Sequence, residues 1–285
     1  AAEVVVKASG VGVFDDALLA GLVSAPRHDA LRVFWDVDAP ATIAEMRADP
    51  LHPVRRALPS LDLVLTYGGG APVVDAYTGL GAVTCVPVYN ALDPAAHFPA
   101  RPDPALRADL AFLANRMPDR EARAREFFFH PAELLPERRF LLGGSGWDAG
   151  VPANVRLLGH VGTERHNAFN CSAMAVLNVA RESMAQMGFC PATRVFEAAG
   201  AGACLITDQW EGIELFLAPD QEVLVARDGQ DVADHLAALT PARAREIGWR
   251  ARDRVIGNHT YAGRARQVDV LFRAALARKH ALVPA

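Results

Sequence analysis

Pro191-Ala192-Thr193-Arg194-Val195-Phe196-Glu197-Ala198-Ala199-Gly200-Ala201-Gly202-Ala203-Cys204-Leu205-Ile206-Thr207-Asp208 reads as a helix over 192–199 and a short buried strand over 203–207. A proline opens the helix and a glycine pair closes it. A helix start offers free backbone N–H groups and a partial positive charge, which suits a phosphate. Thr193 and Arg194 in its first turn add a hydroxyl and a cation. Glu197, one turn on, is placed to accept hydrogen bonds from ribose hydroxyls. Helix–glycine–strand is also the commonest unit of any α/β protein, so the pattern alone leaves function open.

The same alternation extends outward in both directions. Apolar runs at 4–7, 31–35, 63–66 and 82–86 read as strands, with helical spacing at 17–23, 40–48 and 72–80 between them. Strand, helix, strand repeated in this way predicts a parallel sheet with right-handed crossovers. The stretch 90–106 carries Pro94, Pro99, Pro102 and Pro104, led in by Pro87, with little apolar periodicity, and reads as an interdomain hinge. Alternation then restarts. Strands are expected at 110–113, 140–142, 155–158 and 175–179, and helices at 119–129 and near Ala168. Beyond the opening segment come a helix at 211–216, a strand at 222–225 and helices from Val232 onward. Two α/β domains follow, 1–100 and 101–285, whose ligands are expected at strand carboxyl ends and in the cleft between domains. The chain opens on Ala1-Ala2-Glu3 and enters Val4-Val5-Val6 at once, without a starting methionine, which reads as a missing upstream segment.

With 51% hydrophobic and 22% charged residues the composition is that of an ordered globular chain, not a disordered one. Net charge is −4 and no basic stripe interleaves with aromatics; the late arginines, from Arg243 to Arg266, alternate with acids and alanines as on a solvated helix face. Nucleic acid is therefore not an expected partner. Cys85, Cys171, Cys190 and Cys204 form no CxxC pair or metal-ligand spacing, which points to small core residues in a reducing compartment. No apolar run reaches the roughly 18 residues of a membrane span, and no signal peptide is present. The expectation is a soluble, cytoplasmic protein.

Other residues admit several readings. Asp36-Val37-Asp38 ends an apolar strand, where two carboxylates bind a divalent metal, serve a haloacid-dehalogenase-type phosphatase with Thr66 as its second-motif hydroxyl, or cap a helix before Pro40. No later lysine followed by paired acids completes the phosphatase pattern. Gly68-Gly69-Gly70 lets backbone approach a ligand closely or makes a turn. His160 and His166 lie in loops and fit a base, a phosphate or a cap; no histidine pair has zinc spacing.

The opening segment resembles the donor-binding motif F-E-A-x-A-x-G-x-x-x-I/V-T of GT-B glycosyltransferases. More narrowly, Asn167-Ala168-Phe169-Asn170-Cys171-Ser172, Leu177-Asn178-Val179, Gly188-Phe189-Cys190-Pro191, Arg194-Val195-Phe196-Glu197 and Trp210-Glu211-Gly212-Ile213-Glu214 resemble the CgeB-like group 1 glycosyltransferases. Phe34 to Pro40 and His259-Thr260-Tyr261 are similar too. The resemblance implies two Rossmann-like doubly wound domains facing a cleft, with an N-terminal domain that starts upstream of Ala1. It implies transfer of a sugar from a nucleoside-diphosphate donor to an acceptor hydroxyl, independent of metal and without a cofactor, with closure about the hinge. Glu197 matches the family's ribose-binding glutamate, and Thr193 and Arg194 match positions near the diphosphate. Asn178 and Arg181 are implied to face the same cleft, lined by Gly143, Gly144 and Arg116, with Gly68, Gly69 and Gly70 on the acceptor side. Asp36 and Asp38 are the implied general-base candidates if the reaction inverts. Many retaining relatives carry a second glutamate eight positions before the Glu197 equivalent, where this chain has Phe189, so the pattern leaves the stereochemical outcome open. The reading from another class is a catalytically silent nucleotide- or partner-binding module.

Overall fold

The computed structural model describes residues 2–10, 12–24, 27–147 and 150–282. They fall into two compact units. One takes the described residues of Ala1–Tyr89, Met187–Cys190 and Ala262–Ala285, the other Asn90–Gln186 and Pro191–Tyr261.

The first unit is built on β1 (Val4–Ala8), α1 (Asp15–Ser24), β2 (Leu31–Asp36), α2 (Ala39–Ala48), α3 (Pro53–Ala57), β3 (Leu63–Thr66), α4 (Gly70–Gly79) and β4 (Cys85–Pro87). The strands pair in parallel in chain order, β1-β2-β3-β4. Alternate residues serve two cores. Phe34 and Val64 pack beneath α1 to α4 with Ile43, Met46 and Tyr77, while Leu31, Val33, Leu63 and Leu65 face the opposite way. Burial on both faces is why β3 reads as an unbroken apolar run. The second face is covered by Val268, Leu271, Phe272 and Ala275 of the last helix.

The second unit holds β5 (Ala108–Leu113), α5 (Pro118–Ala124), α6 (His130–Leu134), β6 (Phe140–Gly143), β7 (Val155–Gly159), α7 (His166–Ser172), β8 (Ala173–Asn178), α8 (Glu182–Met187), α9 (Thr193–Gly200), β9 (Leu205–Asp208), β10 (Leu224–Ala226), α10 (Gly229–Ala238) and α11 (Pro241–Asn258). The last helix, α12 (Tyr261–Leu282), then runs into the first unit. The sheet order is β10-β9-β8-β5-β6-β7, all parallel. The chain winds one way from β5 through β7, then returns to start β8 on the other side of β5. That reversal makes the carboxyl ends of β5 and β8 the topological switch point, where open α/β sheets bind ligands.

Three differences from the sequence expectation have physical causes. The boundary lies at residue 89 rather than 100, and α12 belongs mostly to the first unit, because its apolar stripe closes the open face of that sheet. The helix expected over 119–129 is α5 followed by a π-helical turn, Arg125–Phe129, whose His130 N–H bonds back to the Arg125 carbonyl five residues earlier. Pro131 follows immediately and cannot donate to a regular ladder, and Phe127, Phe128 and Phe129 are all buried. Phe128 meets Phe112 and Phe140 at ring separations of 5.4 and 5.6 Å. The helix expected over 211–216 is only a 3-10 turn, Ile213–Leu215, entered through Gly212 at φ 93°.

Candidate functional site

Helix α9 starts at the switch point with no side chain capping its first N–H groups; Ala192 holds the cap position in extended conformation. Those donors and the helix dipole are therefore available to an anion. Arg194 pairs one turn onward along its own helix, with Nη1 3.0 Å from Glu197 Oε2. Its Nη2 makes a long contact of 3.5 Å to the Leu113 carbonyl at the end of β5. Glu197 Oε1 lies 3.9 Å from His97 Nε2. Arg194 Nη1 and Glu197 Oε2 form an ion pair without hydrogen-bond alignment, so each keeps unused hydrogen-bonding capacity among the described residues. Burial holds the Arg194 guanidinium below its usual value, with Glu197 opposing. Thr193 is exposed at the same helix start.

His166 belongs to this cluster. Burial, then the Arg194 charge, lower its pKa from the ordinary value of 6.5, against the pull of Glu197. Because the folded chain resists protonating His166 while the unfolded chain does not, stability should fall as pH drops through 6.5 towards the folded value. Urea midpoints at about pH 7.5 and about pH 5.5 check this, and His166→Gln should flatten the difference. An unchanged slope in the variant would remove His166 from the cluster's electrostatics.

Next to α9, the ends of β8 and β9 carry a buried polar network. Asp208 is fully buried, accepts from the Ala180 N–H at 3.1 Å and pairs with Arg123 at 2.5 Å. Arg123 also contacts Glu182 at 3.2 Å. Burial raises the Asp208 carboxyl above its ordinary range, and Arg123 is the largest force pulling it back. Arg181 Nε donates to Asp119 at 2.5 Å. Arg120, lowered by burial, senses Asp119, Arg181, Asp208 and Arg194 in turn. Four arginines thus converge around the switch point.

Several residues expected in the site have other duties. Asn178 is buried and donates to Thr207 Oγ1 at 3.0 Å, tying β8 to β9. Gly144 has φ 124°, and a Cβ there would lie 2.0 Å from the Ala114 carbonyl; at Gly143 it would lie 2.7 Å from Leu113 and 2.8 Å from Val161. Both glycines let the ends of β5 and β6 pack. Arg116 and Arg181 do lie beyond strand ends, but each holds a carboxylate, Arg116 gripping Glu121 at 2.9 and 3.0 Å. His97, Arg120, Arg123, Asp119 and Asp208 were not singled out in sequence. His97 sits in the proline-rich stretch that reads as a linker, and 119–129 reads only as a helix of the second domain.

In the first unit, Asp36 is fully buried. Oδ1 accepts from Ser9 at 2.9 Å, from the Asp38 N–H and from Thr42, both at 3.1 Å, and Oδ2 accepts from Tyr77 at 2.5 Å. Desolvation and the Asp36 charge raise the Tyr77 pKa. A carboxylate so enclosed, with four donors of its own chain around it, has a structural duty, which counts against the base expected at Asp36 and against the phosphatase reading, whose nucleophile it would be. Thr66 is equally buried and donates to the Gly68 carbonyl at 3.0 Å. Asp36→Asn should cost about 1–3 kcal/mol through mismatched buried donors. Activity per folded molecule should be unchanged; a selective loss of kcat would restore Asp36 to the chemistry. Asp38, half-buried, stands at the cap position of α2 without capping it through its side chain.

The glycine triad serves the chain itself. Gly69 N–H bonds to the Phe189 carbonyl at 2.8 Å, and a Cβ on Gly68 would lie 3.0 Å from Cys190 Cα. On Gly70 it would meet the Phe189 ring at 2.6 Å. Phe189 itself holds φ 51°, a left-handed conformation uncommon outside glycine.

Parallel sheets in two Rossmann-like units make this a GT-B fold, and comparison with solved structures agrees. Sucrose-phosphate synthase from Thermosynechococcus elongatus aligns over 97% of this chain and 74% of its own, at TM-score 0.69 and 13% identity. HepE from Anabaena, solved with UDP-glucose, aligns over 94% and 78%, at TM-score 0.67 and 12% identity. Trehalose 6-phosphate synthase from Burkholderia multivorans aligns over 93% and 75%, at TM-score 0.63 and 13% identity. Identities this low establish likeness of fold. The glycosyl transferase-like family matches residues 120–269, more than half of the chain, and the chain belongs to that family. No curated protein matches it in sequence. No helix among the described residues is long and apolar enough to cross a membrane.

Proposed function

We propose that the chain transfers a sugar from a nucleoside-diphosphate donor to an acceptor hydroxyl, as a CgeB-like member of its family working in the cytoplasm. The supporting observation is the Arg194–Glu197 pair at the uncapped start of α9, with hydrogen-bonding capacity left on both side chains. Glu197 accepts from the ribose hydroxyls. Thr193, Arg194 and the first N–H groups of α9 receive the diphosphate, with Arg181 and Arg120 adding positive charge nearby. As the sugar–oxygen bond breaks, charge accumulates on the leaving diphosphate, and donors already fixed by the fold stabilise it without reorganising. These groups supply the neutralisation that a metal gives elsewhere. Asp38 is the acceptor-side candidate. HepE holds UDP-glucose, so uridine diphosphate sugars are the first donors to try.

The test is a melting-temperature screen against UDP, GDP, dTDP, CDP and ADP, with Glu197→Ala alongside. A ligand at about 100 times its Kd adds about 2.7 kcal/mol. One diphosphate should raise the melting temperature of the parent chain and not of the variant. No shift with any of the five would remove the donor site, and a shift without turnover would favour the catalytically silent module.

A further inference from the structure

At the opposite end of the second unit's sheet lies a cavity of about 650 Å³. Its wall includes Ala108 and Ala173, the first residues of β5 and β8, and Ala203 just before β9, so it opens at the amino ends of the strands. The nucleotide reading above leaves it unused.

Three features give it a chemical character. Asn170 of α7 lines it and is fully buried, yet neither Oδ1 nor Nδ2 has a hydrogen-bond partner. Its neighbours in the wall are satisfied: Cys171 accepts from the Ala100 N–H, and Ser172 accepts from the Asp103 N–H at 2.8 Å. A buried carboxamide lacking both partners is destabilising, and a ligand offering an adjacent donor and acceptor recovers that loss. The second feature is charge. Arg107 and Arg245 are exposed members of the wall with no ion-pair partner among the described residues. Among the described residues the one wall carboxylate, Asp109, is engaged by Arg138 at 3.3 Å and Arg139 at 3.8 Å. The third is an aromatic face: Trp249 lines the cavity and is 48% exposed, with the Arg252 guanidinium 5.3 Å from its ring centroid on α11.

A donor–acceptor edge, a stacking face and two exposed cations in the wall call for a planar ring bearing a phosphate. We infer that this cavity is a second ligand site that takes a nucleoside monophosphate. The base edge meets the Asn170 amide, as asparagine pairs with adenine edges elsewhere. The ring packs against Trp249 and the phosphate lies between Arg107 and Arg245. The volume lies within the range of small-molecule sites.

Calorimetric titration of the full chain with AMP, GMP, UMP and CMP, in the parent and in Glu197→Ala, tests the inference. One monophosphate should bind with one equivalent to the Glu197→Ala chain. Arg107→Ala/Arg245→Ala, two exposed positions that leave the core intact, should weaken it about tenfold or more. Asn170→Leu, nearly isosteric, should weaken it without lowering the melting temperature. No heat from any of the four at about 1 mM, equal affinity in the arginine variant, or equal affinity of inorganic phosphate would each overturn it. None of these outcomes bears on the diphosphate screen, so the two readings fail separately.

Discussion

Arg123→Ala is expected to cost the fold about 3–5 kcal/mol, the largest stability effect of any single change outside the apolar core. Arg123 is the cation facing Asp208, a fully buried carboxylate whose remaining partners are the Ala180 N–H and the Thr207 hydroxyl. Truncation leaves that carboxyl in a poorly solvated site with its main counter-charge gone. Asp208 already sits above the ordinary carboxylate range because of burial, with Arg123 opposing. A carboxyl whose folded pKa exceeds the unfolded one binds its proton more tightly when folded, so its contribution to stability falls as pH rises through that interval. The deficit of the variant should therefore shrink towards acidic pH. Urea denaturation across pH measures it, and Arg123→Met/Asp208→Asn should recover much of the loss, since asparagine still accepts from Ala180. A deficit under about 1 kcal/mol, or one independent of pH, would mean the pair is solvated after all.

Glu197→Gln is expected to lower affinity for the nucleoside diphosphate about 10- to 100-fold, the largest functional effect. Hydrogen bonds to a charged acceptor contribute about 1.5–3 kcal/mol, and glutamine keeps the shape while losing the charge. The same change leaves Arg194, half-buried, without its nearest carboxylate, 3.0 Å away. Some loss of stability accompanies the loss of binding, so affinity is to be compared at a temperature where both chains are fully folded. His97→Gln should have a smaller effect of the same sign, because His97 touches Glu197 only at 3.9 Å. Retained affinity in Glu197→Gln would move the ribose contact elsewhere in the unit.

The central strands were legible because their burial is two-sided. Leu63-Val64-Leu65-Thr66 has no polar face to break the run, and its observed limits are those read from the sequence. The α9 start was legible because a proline, a polar first turn and a closing glycine pair are local signals. What depends on distant partners was not. The apolar positions of α12 state that one face is covered but not that it covers β2 and β3, more than 200 residues away. Asp-x-Asp reads alike whether the first carboxylate is sealed by Ser9, Thr42 and Tyr77 or open to substrate. Gly144 is implied by the resemblance to line the cleft, and only the placement of the Ala114 carbonyl shows its packing duty. His97 lies 100 residues from Glu197 in a stretch whose prolines suggest a linker, so no local pattern joins them.

Sugar-nucleotide turnover puts the proposed chemistry to its plainest test. The chain is incubated with each uridine, guanosine, thymidine, cytidine and adenosine diphosphate sugar, and released diphosphate is measured over time. One donor class should be consumed at a rate proportional to protein concentration, and Glu197→Gln, folded at the assay temperature, should lose that rate. Tight binding of a diphosphate with no release from any of its sugars, with a range of acceptor hydroxyls supplied, would contradict glycosyl transfer and leave a nucleotide-binding module in its place.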